Sequence, residues 1–215
     1  MPRGIHIVIF LLAPAILASA VTARAQIDPA SLPAHDAHQM LLIAANPYVS
    51  DEPSKTKFGK HTPYEGGILA VDVYFHNDND SPIRINLDSV QLRVGEPHGA
   101  RQKLDPLSAE EVANRILLRG DKEPTASRLP RPLPGEVPKS GRGKEWNEFD
   151  AVLRSAAMSS DVLPPHATTH GFFYFDIDRH FDWLSGATLD VSDLAFMTTK
   201  QTLFLFEIDL APAVP

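Results

Sequence analysis

The chain has 215 residues, 43% of them hydrophobic, with no cysteine and a formal net charge of −7. The missing cysteine excludes disulfides, thiolate metal sites, thiol catalysis and a lipidated N-terminal cysteine. The acidic balance argues against nucleic acid or an anionic membrane surface as partner.

The first 25 residues stand apart. Arg3 supplies a positive start, Ile5 to Leu17 run apolar, and Ala23-Arg24-Ala25 forms an Ala-x-Ala site. That layout predicts a secretory signal peptide, cleaved to leave Gln26 at the head of a periplasmic or secreted protein. Losing Arg3 and Arg24 would take the net charge from −7 to −9. No later stretch approaches the ~20 apolar residues of a spanning helix, so no stable membrane insertion is expected after cleavage. Residues 26–215 read as a single domain.

Gln26 to His38, rich in Pro, Ala and Asp, reads as a loose N-terminal segment. Gln39 to Ala45 is a short apolar run stopped by Asn46-Pro47, which predicts a first strand. Tyr48 to Gly66 is polar and reads as a long loop tacked down by Phe58 and Tyr64. Leu69, Val71, Val73 and Phe75 then alternate with Asp72, Tyr74 and His76, the pattern of a strand with one buried and one wet face. The Asn77-Asp78-Asn79-Asp80-Ser81-Pro82 cluster supplies a turn. Ile83, Ile85 and Leu87 resume the alternation, and Val90, Leu92 and Val94 continue it after a phase slip at Asp88-Ser89 that a bulge or corner would produce. Gly67 to Val94 is therefore expected to form an antiparallel strand–turn–strand.

Between residues 100 and 165 the character changes. Ser108 and Glu111 have capping-box spacing, and Val112, Ile116 and Leu117 follow, predicting a helix from Ala109 to Arg119 closed at Gly120. Residues 121–143 carry five prolines between basic side chains and read as a mobile arm. Trp146, Phe149 and Leu153 recur at helical spacing up to Met158.

The C-terminal part returns to alternation. Gly171, Phe173, Phe175 and Ile177 fall on one face, while Phe172 and Tyr174 make the other face apolar too, so that strand should be covered on both sides. Ala187 to Leu194 reads as one strand. Thr202 to Leu210 reads as another, with Phe204, Phe206, Ile208 and Leu210 inward. The expected class is mainly β, a two-sheet antiparallel sandwich with a helical and Pro-rich insertion at about 100–165. VDVYFHNDNDSPIRINLDSVQL, followed by Leu163-Pro164-Pro165 and Gly171-Phe172-Phe173-Tyr174-Phe175-Asp176, resembles exported bacterial immunoglobulin-like domains of unknown function. The resemblance implies an immunoglobulin-like fold and an envelope or extracellular address, and it carries over no catalytic residue.

Chemistry is thinly signalled. The Asn77–Asp80 turn could offer oxygens to calcium, but the EF-hand glycine and closing glutamate are missing. His166 and His170 are four apart, and with Asp176, Asp178, His180 and Asp182 they form the candidate metal cluster of a hydrolase or carbohydrate binder. The plainer reading is that they are the wet residues between buried Phe173, Phe175, Ile177 and Phe181. His35 and His38 form a weaker pair. No Gly-x-Ser-x-Gly elbow, phosphate loop or cofactor fingerprint is present, so no cofactor is expected. Arg128, Arg131 and Arg142, with Trp146 and Phe149 as aromatic anchors, mark a candidate protein-binding surface. The leading expectation is a non-enzymatic exported binding or scaffold module whose partner is an envelope or extracellular protein.

Overall fold

In the computed structural model the described residues are 27–95, 101–118 and 143–214. The expected arm with Arg128, Arg131 and Arg142, the expected helix cap at Gly120 and the expected signal peptide lie outside them. In chain order the strands and helices are β1 (Ala34–His38), β2 (Leu41–Tyr48), α1 (Asp51–Phe58), β3 (Ile68–Asn77), β4 (Ile83–Ile85), β5 (Val90–Gly95) and β6 (Arg101–Leu104). They continue with α2 (Ala109–Leu117), α3 (Lys144–Ala156), β7 (Val162–Leu163), β8 (Ala167–Asp176), β9 (Thr188–Val191), β10 (Leu194–Phe196) and β11 (Phe206–Asp209). All ladders among the described strands are antiparallel, in three sheets ordered β1-β2-β3-β8, β10-β4-β7 and β11-β9-β5-β6.

The odd-numbered residues of β3 and β8 explain the main core. Leu69, Val71, Val73 and Phe75 pack with Phe173 and Phe175 against Ile83, Ile85, Leu92, Leu189, Val191, Phe206 and Ile208 from the other two sheets. This is a sandwich arrangement, with the β1-β2-β3-β8 sheet on one side of a shared core. Phe75, Phe175 and Phe206 are 0% exposed and Phe173 is 5% exposed, as their strand phase requires.

The even-numbered face of the same sheet is wet only in part. Ile68, Ala70, Phe172 and Tyr174 lie under Phe58 of α1, Val112 and Ala113 of α2 and Trp146, Phe149 and Leu153 of α3, forming a second core. The capping box of α2 is present in full, with Ser108 and Glu111 bonding each other's backbone N–H. Both hydrogen bonds from Ser108 favour the ionised form of Glu111 and lower its pKa. At the start of α3, Glu145 accepts from Lys60 Nζ at 2.6 Å and contacts His61 Nε2 at 2.7 Å. The Lys60 bond, then the His61 bond, draws its pKa down to about 2, and the pair ties α3 to the chain leaving α1.

Several expectations are corrected here. The Asp78–Pro82 turn does not close a hairpin: β3 pairs with β2 and β8, whereas β4 pairs with β10 and β7. The turn instead carries the chain from one sheet to another. The segment expected to be loose holds a 3₁₀ turn (Pro29–Ser31) and the strand β1. Strand β2 runs through Asn46 and Pro47 to Tyr48; Pro47 is tolerated past Ala45, where β1 ends and β2 has only β3 beside it. The expected loop 48–66 contains α1. Asp193, with a left-handed φ of 54°, splits the expected 187–194 strand into β9 and β10 in different sheets. Phe204 is exposed and Leu203 is buried, because the Leu203 N–H bonds Leu194 O and β11 begins only at Phe206.

Candidate functional site

The helices cover only part of the β1-β2-β3-β8 sheet. Along β3 the covered rows are Ile68 and Ala70; the rows beyond pair Tyr74 with His170 and His76 with Thr168. Asp72 sits at the boundary and is 4% exposed. A buried carboxylate needs partners, and it has two: the Tyr74 hydroxyl donates to Oδ2 at 3.0 Å, and His170 Nδ1 lies 3.0 Å from Oδ1. The Tyr74 and His170 rings stack at 4.8 Å and 6°. Burial first, then the Asp72 charge, raises the phenol pKa of Tyr48, Tyr74 and Tyr174. Tyr174 answers its burial by donating to Leu153 O at 3.0 Å.

One rung on, His76 Nδ1 meets Thr168 Oγ1 at 2.8 Å and Nε2 meets Asp78 Oδ1 at 3.0 Å. His76, Thr168 and Leu42 floor a cleft of about 270 Å³, walled by Ile27 to Ala30 of the N-terminal 3₁₀ turn. No reading of local sequence finds Asp72 as a buried group, because its imidazole partner is 98 residues away.

The residues singled out from sequence are dispersed. His166 Nε2 bonds Asp80 at 2.9 Å, and His170 bonds Asp72. Asp176 pairs with Arg115, and the Asp178 N–H donates to Asp176. His180 stacks on Trp183. Among the described residues no group of three or more His, Asp or Glu is placed to hold a metal. His38 stacks on Phe206, and His35 bonds Leu32 O. The Asn77–Asp80 turn spends its amides on structure: Asn77 Nδ2 donates to Ser81 O and Pro164 O, and Asn79 Nδ2 to Gln39 O and Met40 O. Trp146 and Phe149 are 6% and 4% exposed, so they are core residues under the helix layer rather than anchors facing a partner.

A different surface is apolar and exposed. Phe204 is 74% exposed, Met40 62%, Leu205 46% and Met197 40%. The backbones of Phe204, Met40 and Met197 are tied to neighbouring turns. The Phe204 N–H donates to Gln39 Oε1, the Asp78 N–H to Met40 O, and the Met197 N–H to Pro82 O. Gln39 and Met40 both have left-handed φ, 52° and 56°, the geometry of a two-residue hairpin turn between β1 and β2.

No family model matches the chain, and no curated protein matches it. Among solved structures it is similar to a functionally unknown protein from Listeria monocytogenes EGD-e. The identity is 12%, coverage is 74% of this chain and 70% of that one, and the TM-score is 0.33. Nothing about function follows from a likeness at that level. Among the described residues no helix is long and apolar enough to cross a membrane.

Proposed function

We propose that the protein is a non-enzymatic binding module, exported through its first 25 residues, that docks an envelope or extracellular protein through the loop end carrying Met40, Met197, Phe204 and Leu205. In this reading the sandwich is immunoglobulin-like and the helices are an insertion laid over one sheet. The observation that carries it is the exposure of four large apolar side chains, three of them on backbone held by hydrogen bonds. Exposed apolar surface of this kind is the common mark of protein docking. Loops already fixed by hydrogen bonds lose little further freedom on association.

The partner would be recovered by affinity capture from the envelope fraction and its Kd measured. Phe204→Asp should weaken binding by about 2 kcal/mol, roughly thirtyfold in Kd, as an aromatic anchor does. Glu52→Arg, on the exposed side of α1, should leave Kd unchanged. A Phe204→Asp protein that binds as tightly as the parent overturns the proposal.

A further inference from the structure

The cleft between the N-terminal 3₁₀ turn and the uncovered rows of the sheet is remote in character from the apolar loop end, and its side chains are uniform in one respect. Asp78 is a carboxylate and can only accept, so His76 must donate to it through Nε2. In the neutral ring Nδ1 is then an acceptor and takes the Thr168 hydroxyl proton, which leaves Thr168 Oγ1, in the cleft lining, with acceptor lone pairs. Asp28 uses Oδ1 to accept from the Ala30 N–H and keeps its second oxygen. His170 donates through Nδ1 to the acceptor Asp72, so its Nε2 is an acceptor as well. His170 follows Thr168 by two residues on the same strand face, roughly 7 Å away between α-carbons at the rise of a β-strand, just outside the cleft lining.

The polar side chains of this region therefore present acceptors. Neither Lys nor Arg lines the cleft, and Asp28 in its wall, with Asp78 bonded to His76, biases it negative. Ile27, Pro29 and Leu42 supply an apolar wall. A ligand that satisfies acceptors, is attracted by negative charge and covers apolar wall is a primary ammonium on a short hydrocarbon body. The volume of about 270 Å³ corresponds to roughly nine waters at ~30 Å³ each, which limits that body to a few carbons.

We propose that this cleft is a binding site for a small primary ammonium compound. The chemistry excludes carboxylates and other anions, which would bring more acceptors and more negative charge to a site that has both already. Affinity should fall as salt rises from low ionic strength to 0.15 M, because part of the attraction is between exposed charges.

The test is an NMR titration of the purified protein with n-butylammonium chloride, n-butanol and sodium butyrate, which share one hydrocarbon chain. Butylammonium should give saturable amide shifts at Leu42, His76 and Thr168. Butanol should bind at least about tenfold more weakly, and butyrate should give no saturable shift. Asp28→Asn keeps a side chain able to accept the Ala30 N–H but removes the charge, and should weaken the ammonium severalfold without unfolding the protein. Thr168→Val removes one acceptor and should weaken it again. The proposal is overturned if butylammonium gives no saturable shift, if butyrate binds as well as the amine, or if Asp28→Asn binds the amine unchanged.

Discussion

Phe175→Ala should lower the unfolding free energy by about 3–5 kcal/mol, the range for emptying a buried phenylalanine site. Phe175 is 0% exposed, stands opposite Leu69 in the β3–β8 ladder and packs in the core shared by the sheets. The strands around it are pinned on both sides, by β3 on one and by the helix layer behind, so the cavity cannot close by local collapse. Against a typical total of about 5–15 kcal/mol, the loss should leave a large unfolded population on modest warming. Urea denaturation should show a lower midpoint with an unchanged slope. Phe204→Ala is the matched comparison: the same atoms are removed from a site 74% exposed, and the change should stay within about 0.5 kcal/mol. Equal losses at 175 and 204 would contradict the core assignment.

Gly171→Val should be nearly as damaging for the opposite reason. A β-carbon on Gly171 would stand 2.5 Å from Met158 Cα and 2.6 Å from Met158 N. Both are backbone atoms and cannot swing aside as a side-chain tip would. The close approach exists because the Met158 N–H donates to Phe172 O at 3.1 Å, where the chain leaving α3 meets β8 and Ala157 bridges Phe172. Valine must push that segment off the strand, losing the hydrogen bond and lifting the C-terminal end of α3 from Phe172 and Tyr174. The expected cost is about 3 kcal/mol, at the upper end of the overpacking range. Thermal unfolding checks it, and a melting temperature equal to the parent's would mean that the contact between the Met158 segment and β8 is absent.

The same pair of contacts shows what a linear reading can and cannot reach. The phase of Leu69, Val71, Val73 and Phe75, of Phe173 and Phe175, and of Phe206 and Ile208 was legible because burial in a strand repeats every two residues. The helix starting after Ser108 was legible because a capping box is a local device. Phe172 and Tyr174 correctly signalled a second covered face on β8, yet Asp72, Tyr74 and His76 on β3 suggested water. Asp72 can be buried because Tyr74, two residues on along β3, and His170, from across the ladder on β8, both meet its carboxylate.

Other elements left weak traces. Strand β1 has the sequence Ala-His-Asp-Ala-His and turns through Gln39-Met40, without the Asn-Gly signal such a turn favours. The left-handed pair is instead held by Asn79, whose amide reaches both carbonyls from a distant loop. Helix α1 buries only Ser54 and Phe58, so it has no apolar stripe to read, and its stop at Gly59, with φ 86°, resembles any loop glycine. Phe204 shared the alternation of Phe206 and Ile208, but the Leu203–Leu194 hydrogen bond turns the chain before the strand begins. The aromatic pair Trp146 and Phe149 read as interface anchors from sequence; helix α3 lies on the sheet, and the core takes both.

The placement of the proposed interaction surface is most directly tested by photo-crosslinking in the producing cell. A photoreactive phenylalanine analogue is introduced at position 204 in one strain and at position 148, on the exposed side of α3, in another. The account predicts a discrete heavier adduct from position 204 and none from position 148. An adduct from position 148 with none from 204 would contradict it and move the binding surface to the helix layer.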